Sequence, residues 1–150
     1  MPVTFWGGIF ETISHNKAHE AELASAAMVQ DIYTAIFAHE NLKYRLVTFT
    51  EGLSQEAFTA EQVYHTDNSE LGQWIRGVGL AKFSKFRAFT RLIEHHKMFH
   101  YAAANVVSLT KAGKMKEANT MMAAQFEDFS DAIISDLLTL RETVEATRQA

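Results

Sequence analysis

Apolar residues recur along this chain at steps of three and four, the spacing that lines one face of an α-helix. Ile32, Ile36, His39, Leu42 and Leu46 form one such seam. It predicts a long first helix from about Phe10 to about Phe49, stopped by Gly52. The earlier stretch around His15 to Met28 is rich in Ala and is expected to project or to pair with a partner helix. Met1 to Gly8 reads as irregular, and its neighbourhood of Phe5, Trp6, Ile9 and Phe10 as a docking segment. A second seam, Phe89, Leu92, His96, Phe99, Ala103 and Val106, predicts a helix over Lys82 to Thr110, with Gly113 just beyond its end. A third, Ala118, Met122, Phe126, Phe129, Ile133, Leu137 and Leu140, comes close to a heptad and predicts a helix over Lys116 to Thr147.

Between the first two seams the pattern breaks up. Thr59-Ala60-Glu61-Gln62 has capping-box spacing and predicts a short helical piece. Thr66-Asp67-Asn68-Ser69 predicts a stop and a restart, because these side chains bond nearby backbone N–H groups. Glu70 to Arg76 then forms a short helix that Gly77 and Gly79 are expected to end. The fold expected is all-α: a four-helix bundle with a long first helix and a short helix carrying the Ser69–Trp74 motif. Residues 1–20 read as an N-terminal extension that docks or dimerises, and residues 21–150 as the bundle.

Composition supports this and narrows the function. The 150 residues suit one domain, and 47% hydrophobic content is enough for a core. A single Pro and 7 Gly leave long helices uninterrupted. A net charge of −4 without a basic stripe argues against a nucleic-acid partner. The small cluster Lys82, Lys85 and Arg87 among Phe83, Phe86 and Phe89 reads as a solvated face beside a buried one. No apolar run reaches the ~18–20 residues of a membrane span, and the start lacks a signal-peptide pattern. A soluble cytoplasmic protein is therefore expected. With no cysteine, disulfides are excluded.

The histidines change the picture. His96 and His100 stand four residues apart, which stacks two imidazoles on one helix face. His39 lies on the seam of another helix. Each would cost ~1–3 kcal/mol if buried without a partner, and a shared metal would satisfy all three. Imidazole suits Zn, Cu, Fe and Ni alike. A set of ordinary hydrogen bonds would also satisfy them, and the residues alone leave both readings open. His15 and His19 have the same spacing but read as an exposed face near a helix start. His95 reads as solvated, and His65, close to Ser69, as an outer residue of the site at most.

Three elements in this order resemble the chemoreceptor zinc-binding (CZB) family. His39-Glu40-Asn41-Leu42-Lys43 is similar to the family's first element, with Leu42 where an aromatic is usual. Ser69-Glu70-Leu71-Gly72-Gln73-Trp74 is similar to its Cys-x-Leu-Gly-x-Trp stretch, with Ser69 in place of Cys. His96-Lys97-Met98-Phe99-His100 is similar to its His-x-x-x-His. The resemblance covers roughly Ala21 to Leu140. It implies a four-helix bundle that forms a homodimer and binds Zn2+ through His39, His96, His100 and the position of Ser69. It also implies a cytoplasmic, non-enzymatic regulator of a bacterial chemotaxis or cyclic-di-GMP pathway, acting on a signalling partner or fused output domain.

Ser69 is the departure from that pattern, since a neutral hydroxyl is a poor zinc ligand beside a thiolate. Zinc held by three His and water, a carboxylate from Asp67 or Glu70 swinging in, and an empty site with Ser69 as a helix cap are the three arrangements open to it. Gly72 reads as permitting close helix approach and Trp74 as a packing anchor. Two other functions compete: a metal-free helical dimerisation or partner-binding module, and a zinc hydrolase, for which only Glu40 and Glu94 lie near as bases.

Overall fold

The computed structural model describes the backbone of residues 5–149 and the side chains of residues 12–147. Those residues are all-helical, with no strand among them. Helix α1 (Phe5–Thr50) is 46 residues long, about 69 Å at the α-helical rise. It is followed by α2 (Ala60–Tyr64), a 3₁₀ turn at Thr66–Asn68 and α3 (Glu70–Trp74). Then come α4 (Leu80–Phe83), α5 (Arg87–Lys111), α6 (Met115–Met121) and α7 (Glu127–Gln149). No helix among the described residues is long and apolar enough to cross a membrane.

Helix α1 has two different halves. From Ile32 onward it buries Ile32, Ala35, His39 and Leu46 completely or nearly so, on the seam read from the sequence. This half packs against α7, α5 and α3. Side chains 12–24 are all exposed. The backbone of Phe5 to Gly8 is helical, so the irregular start expected there is corrected, and Met1 to Thr4 lie outside the described residues. The side chains of Phe5, Trp6, Ile9 and Phe10, expected to dock, also lie outside them.

Glycines end α1 and α5 as their sequences suggest. Gly52 and Gly113 have φ of 75° and 74°, the left-handed region that glycine adopts without penalty. Leu53 N–H then bonds Thr48 C=O at 2.9 Å and Lys114 N–H bonds Leu109 C=O at 2.9 Å, closing both helix ends.

Two boundaries differ from expectation. Gly77 and Gly79 do not stop the short helix; a π turn over Ile75–Gly79 carries it on to α4. At Gly79 a Cβ would stand 2.7 Å from Phe89 Cε2 and 2.9 Å from Trp74 Cζ3. Its lack of a side chain lets those two rings close over the backbone. The helix expected from Lys82 instead breaks after Phe83 and restarts at Arg87. In one continuous helix Phe83 and Phe89 would lie about 120° apart round the axis. The break turns both inward, to 0% and 2% exposure. A second π turn, Met122–Phe126, joins α6 to α7 within the last predicted helix.

The core is one cluster. Ile32, Leu46, Leu92, Phe99, Phe126, Ile133, Leu137 and Leu140 are all fully buried within it. Each such side chain contributes about 1.5–3 kcal/mol by leaving water. Helix α5 packs on α7, and α2 lies across α5. The short segment from α2 to α3 thereby covers the middle of α5, where His96 and His100 sit.

Candidate functional site

Three helices and the covering segment bring His39, His96 and His100 into the core. Their exposures are 1%, 4% and 2%. The rings of His96 and His100 lie 4.4 Å apart between centroids, edge to face, as their one-turn spacing on α5 dictates. Phe99 lies between the α1 and α5 contributions, 4.7 Å from the His39 ring and 5.7 Å from that of His100. His15 and His19, with the same spacing as the α5 pair, stand exposed on the projecting half of α1.

Burial keeps these imidazoles uncharged. His39 is pushed down to about 3, first by desolvation, then by the Lys43 ammonium and by His100. His96 is also pushed down to about 3, by desolvation and then by His100 and His39. His100 is lowered by desolvation, against an opposing hydrogen bond to Val63. All three are therefore in the form that can offer a lone pair.

Their hydrogen bonds differ. His100 Nδ1 lies 2.6 Å from the carbonyl oxygen of Val63. A carbonyl only accepts, so Nδ1 carries the proton and Nε2 is a bare acceptor. That Nε2 is buried and has no partner among the described residues. His39 Nε2 is hydrogen-bonded to Ser130 Oγ at 2.8 Å. Ser130, 1% exposed on α7, is a site residue that sequence reasoning missed. The signal was available: it stands four residues after Phe126 and three before Ile133, a lone hydroxyl on an apolar seam.

Ser69 has three contacts. Its Oγ accepts from Gly72 N–H at 2.9 Å, capping α3, and donates to Thr66 C=O at 2.9 Å. With its one proton spent on Thr66, it has only a lone pair to offer His96 Nε2, 3.2 Å away. The cap expected of Ser69 is present, and the hydroxyl also touches a histidine of the cluster. Gly72 permits the close approach expected of it, although the neighbour is backbone. A Cβ there would fall 1.9 Å from Thr66 O. Trp74 stacks on Phe83 at 5.6 Å, helping to hold the segment down.

The remaining candidates separate from this cluster. Asp67 pairs with Arg76 at 3.3 Å on the surface, and Glu70 is exposed. Glu40 and Glu94 are exposed as well. His65 is exposed and edges against Tyr64 at 5.7 Å. His95, expected in solvent, is half-buried and meets Asp136 Oδ2 at 2.6 Å, with Arg91 3.4 Å from the other oxygen. Asp136 is only 4% exposed, and its place on α7 made that pair invisible to a reading of α5 alone.

The donor chemistry suits a divalent metal that prefers nitrogen: neutral imidazoles, one with a fixed tautomer and a free lone pair. The arrangement falls short of a finished site. Among the described residues no group of three His, Cys, Asp or Glu is placed to hold a metal ion. His39 is held by Ser130, and His96 turns its Nε2 toward Ser69. For three imidazoles to converge through Nε2, His39 would have to release Ser130 and His96 to present a lone pair instead of a proton. Comparison with protein-family models, with curated proteins and with solved structures finds no match to this chain.

Proposed function

We propose that this chain is a zinc-responsive regulatory domain, a four-helix bundle whose packing changes when His39, His96 and His100 take up the metal. The observation that carries the reading is His100. A buried, neutral imidazole with Nδ1–H fixed on Val63 C=O and Nε2 left bare is the arrangement a metal-binding histidine adopts. Zinc, once bound, would supply a positive centre that the three neutral rings share.

What the chain's residues do follows from their bonds. His39 joins α1 to α7 through Ser130, His96 joins α5 to Ser69, and His100 joins α5 to Val63 on α2. Drawing the three rings together would exchange the first two of these ties for a tie between α1 and α5. The covering segment then moves with Ser69, and a partner can read that change. Ser69 serves as cap and hydrogen-bond acceptor in this scheme, and the fourth donor is water or another anion. The resemblance to the CZB family supports a homodimer in cytoplasmic bacterial signalling, without catalysis.

One observation favours a second reading, a metal-free interaction module: the trio is not pre-assembled. Zinc titration of chelator-treated protein separates them. The zinc-responsive reading expects one equivalent bound, a higher melting temperature, and loss of both in His100→Ala. An unchanged melting curve in excess zinc supports the metal-free module instead.

A further inference from the structure

His95 and Asp136 form a pair that the zinc reading leaves unused. Asp136, on α7, is nearly fully buried, and its Oδ2 lies 2.6 Å from His95 Nδ1 on α5. A carboxylate only accepts, so Nδ1 carries a proton, and Nε2 of the neutral ring holds a bare lone pair. The His95 side chain is 33% exposed. Its Nε2, unlike that of His100, is open to water and has no partner among the described residues. Burying a carboxylate is costly, and this one orients a ring whose other nitrogen faces out. A nucleophilic nitrogen held in one tautomer by a buried acid is an arrangement for covalent chemistry. Arg87, Arg91 and His95 recur every four residues on α5, which sets two guanidiniums on the side of the ring. Arg91 Nε lies 3.4 Å from Asp136 Oδ1 and the side chain is 46% exposed, so its terminal amino groups are left for an anion. The nearest carboxylates in sequence, Glu94 and Asp131, are exposed. Glu94 lies about 100° round α5 from His95, and Asp131 about 140° round α7 from Asp136.

We propose that His95 is a phosphoryl-acceptor site, its Nε2 taking the group from a reactive acyl or N-linked phosphate. The Nε2 lone pair attacks phosphorus. The bond from phosphorus to the donor's oxygen or nitrogen breaks, and its electron pair leaves with the donor. Nδ1 keeps its proton, and the positive charge left on the ring faces the Asp136 carboxylate. Arg91 and Arg87 meet the phosphoryl oxygens, which suit guanidinium forks. An acyl group is a poorer fit, because the ring stands mid-helix, where backbone N–H groups are already bonded and cannot hold an oxyanion. A metal is poorer too, since no group of three ligands is placed to hold one among the described residues. The inference stands apart from the zinc reading: His95 turns to α7, whereas His96 turns to Ser69.

The test treats the full chain, in chelator and at neutral pH, with phosphoramidate. Mass spectrometry under alkaline conditions, where the N–P bond survives, follows each histidine. His15, His19 and His65 are exposed and serve as references within the same molecule. His95 is expected to react about tenfold faster than any of the three, with the phosphorus on Nε2. Asp136→Asn keeps the shape of the side chain and removes its charge. It should bring His95 down to the reference rate and leave the three references unchanged, while a melting curve verifies folding. Arg91→Gln should slow His95 alone. Should Asp136→Asn not fold, the comparison within the native chain and Arg91→Gln decide. A His95 that reacts no faster than the references overturns the proposal. So does a His95 rate that folded Asp136→Asn leaves unchanged, or one that Arg91→Gln leaves unchanged.

Discussion

His15 and His19 on α1, and His96 and His100 on α5, are the same motif with opposite surroundings. Both pairs set two imidazoles one turn apart on one helix face. The α1 pair stands on a helix half whose side chains 12–24 all face water. The α5 pair lies under α2 and beside α1, is neutral, and touches Val63 and Ser69. Spacing therefore sets which rings are neighbours, while the elements packed over them decide what the rings can do.

The sharpest way to break the contrast is through the core beneath the α5 pair. Phe99 is fully buried and contacts His39, His100 and Phe126. Phe99→Ala should destabilise by about 3–5 kcal/mol in denaturant melts. Leu23→Ala, at a side chain 58% exposed on the projecting half of α1, should stay within about 0.5 kcal/mol. A similar loss at both sites would mean that the projecting half is not free in solution.

Acid comes next. In metal-free protein, His39 and His96 have folded pKa values of about 3, below the unfolded 6.5. Their contribution is complete above pH 6.5 and is lost as pH falls from there toward 3, because the unfolded chain takes up the protons first. Stability should fall steadily with pH inside that window, because each ring must take up a proton in the core or the chain must unfold to accept it. His39→Gln/His96→Gln should flatten this profile, and an unchanged profile would place the effect outside the buried cluster.

Glycine and cap variants test the covering segment. Gly72→Ala drives a Cβ onto Thr66 O and should cost about 1–3 kcal/mol. Gly77→Ala meets nothing within 4 Å and should be neutral or stabilising by up to about 1 kcal/mol. Ser69→Ala removes the cap of α3 and should cost about 1 kcal/mol, with a shifted His96 imidazole resonance. An unmoved His96 signal would show that the 3.2 Å contact carries no interaction. The smallest effect belongs to the exposed pair Lys82–Asp31, 2.7 Å apart. Lys82→Ala should cost less than about 1 kcal/mol, and salt titration of the melt reads it.

Much of this was legible in the chain. The seam through Ile32, His39 and Leu46 placed a histidine inside α1, and the pattern on α5 placed two more. Thr59 accepts from Gln62 N–H at 3.2 Å, as its cap spacing implied. The glycines at 52 and 113 ended helices, while those at 77 and 79 did not. Composition cannot separate the two roles. A terminating glycine needs a left-handed φ, whereas Gly79 serves by leaving room for Trp74 and Phe89. The partners of the histidines were the least readable part. Ser130, Val63 C=O and Asp136 lie 91, 37 and 41 residues from the imidazoles they meet. One is a backbone group that no residue pattern reveals.

X-ray absorption at the zinc edge tests the central claim most directly. The sample is zinc-loaded His15→Ala/His19→Ala protein, so that only the buried cluster can supply neighbouring histidines from one helix. Three imidazole nitrogens at ~2.0–2.1 Å, with no sulfur, is the predicted shell, and it should vanish in protein that also carries His96→Ala. A shell made of oxygen alone, or one with a single imidazole, would contradict the convergence of α1 and α5 on one metal.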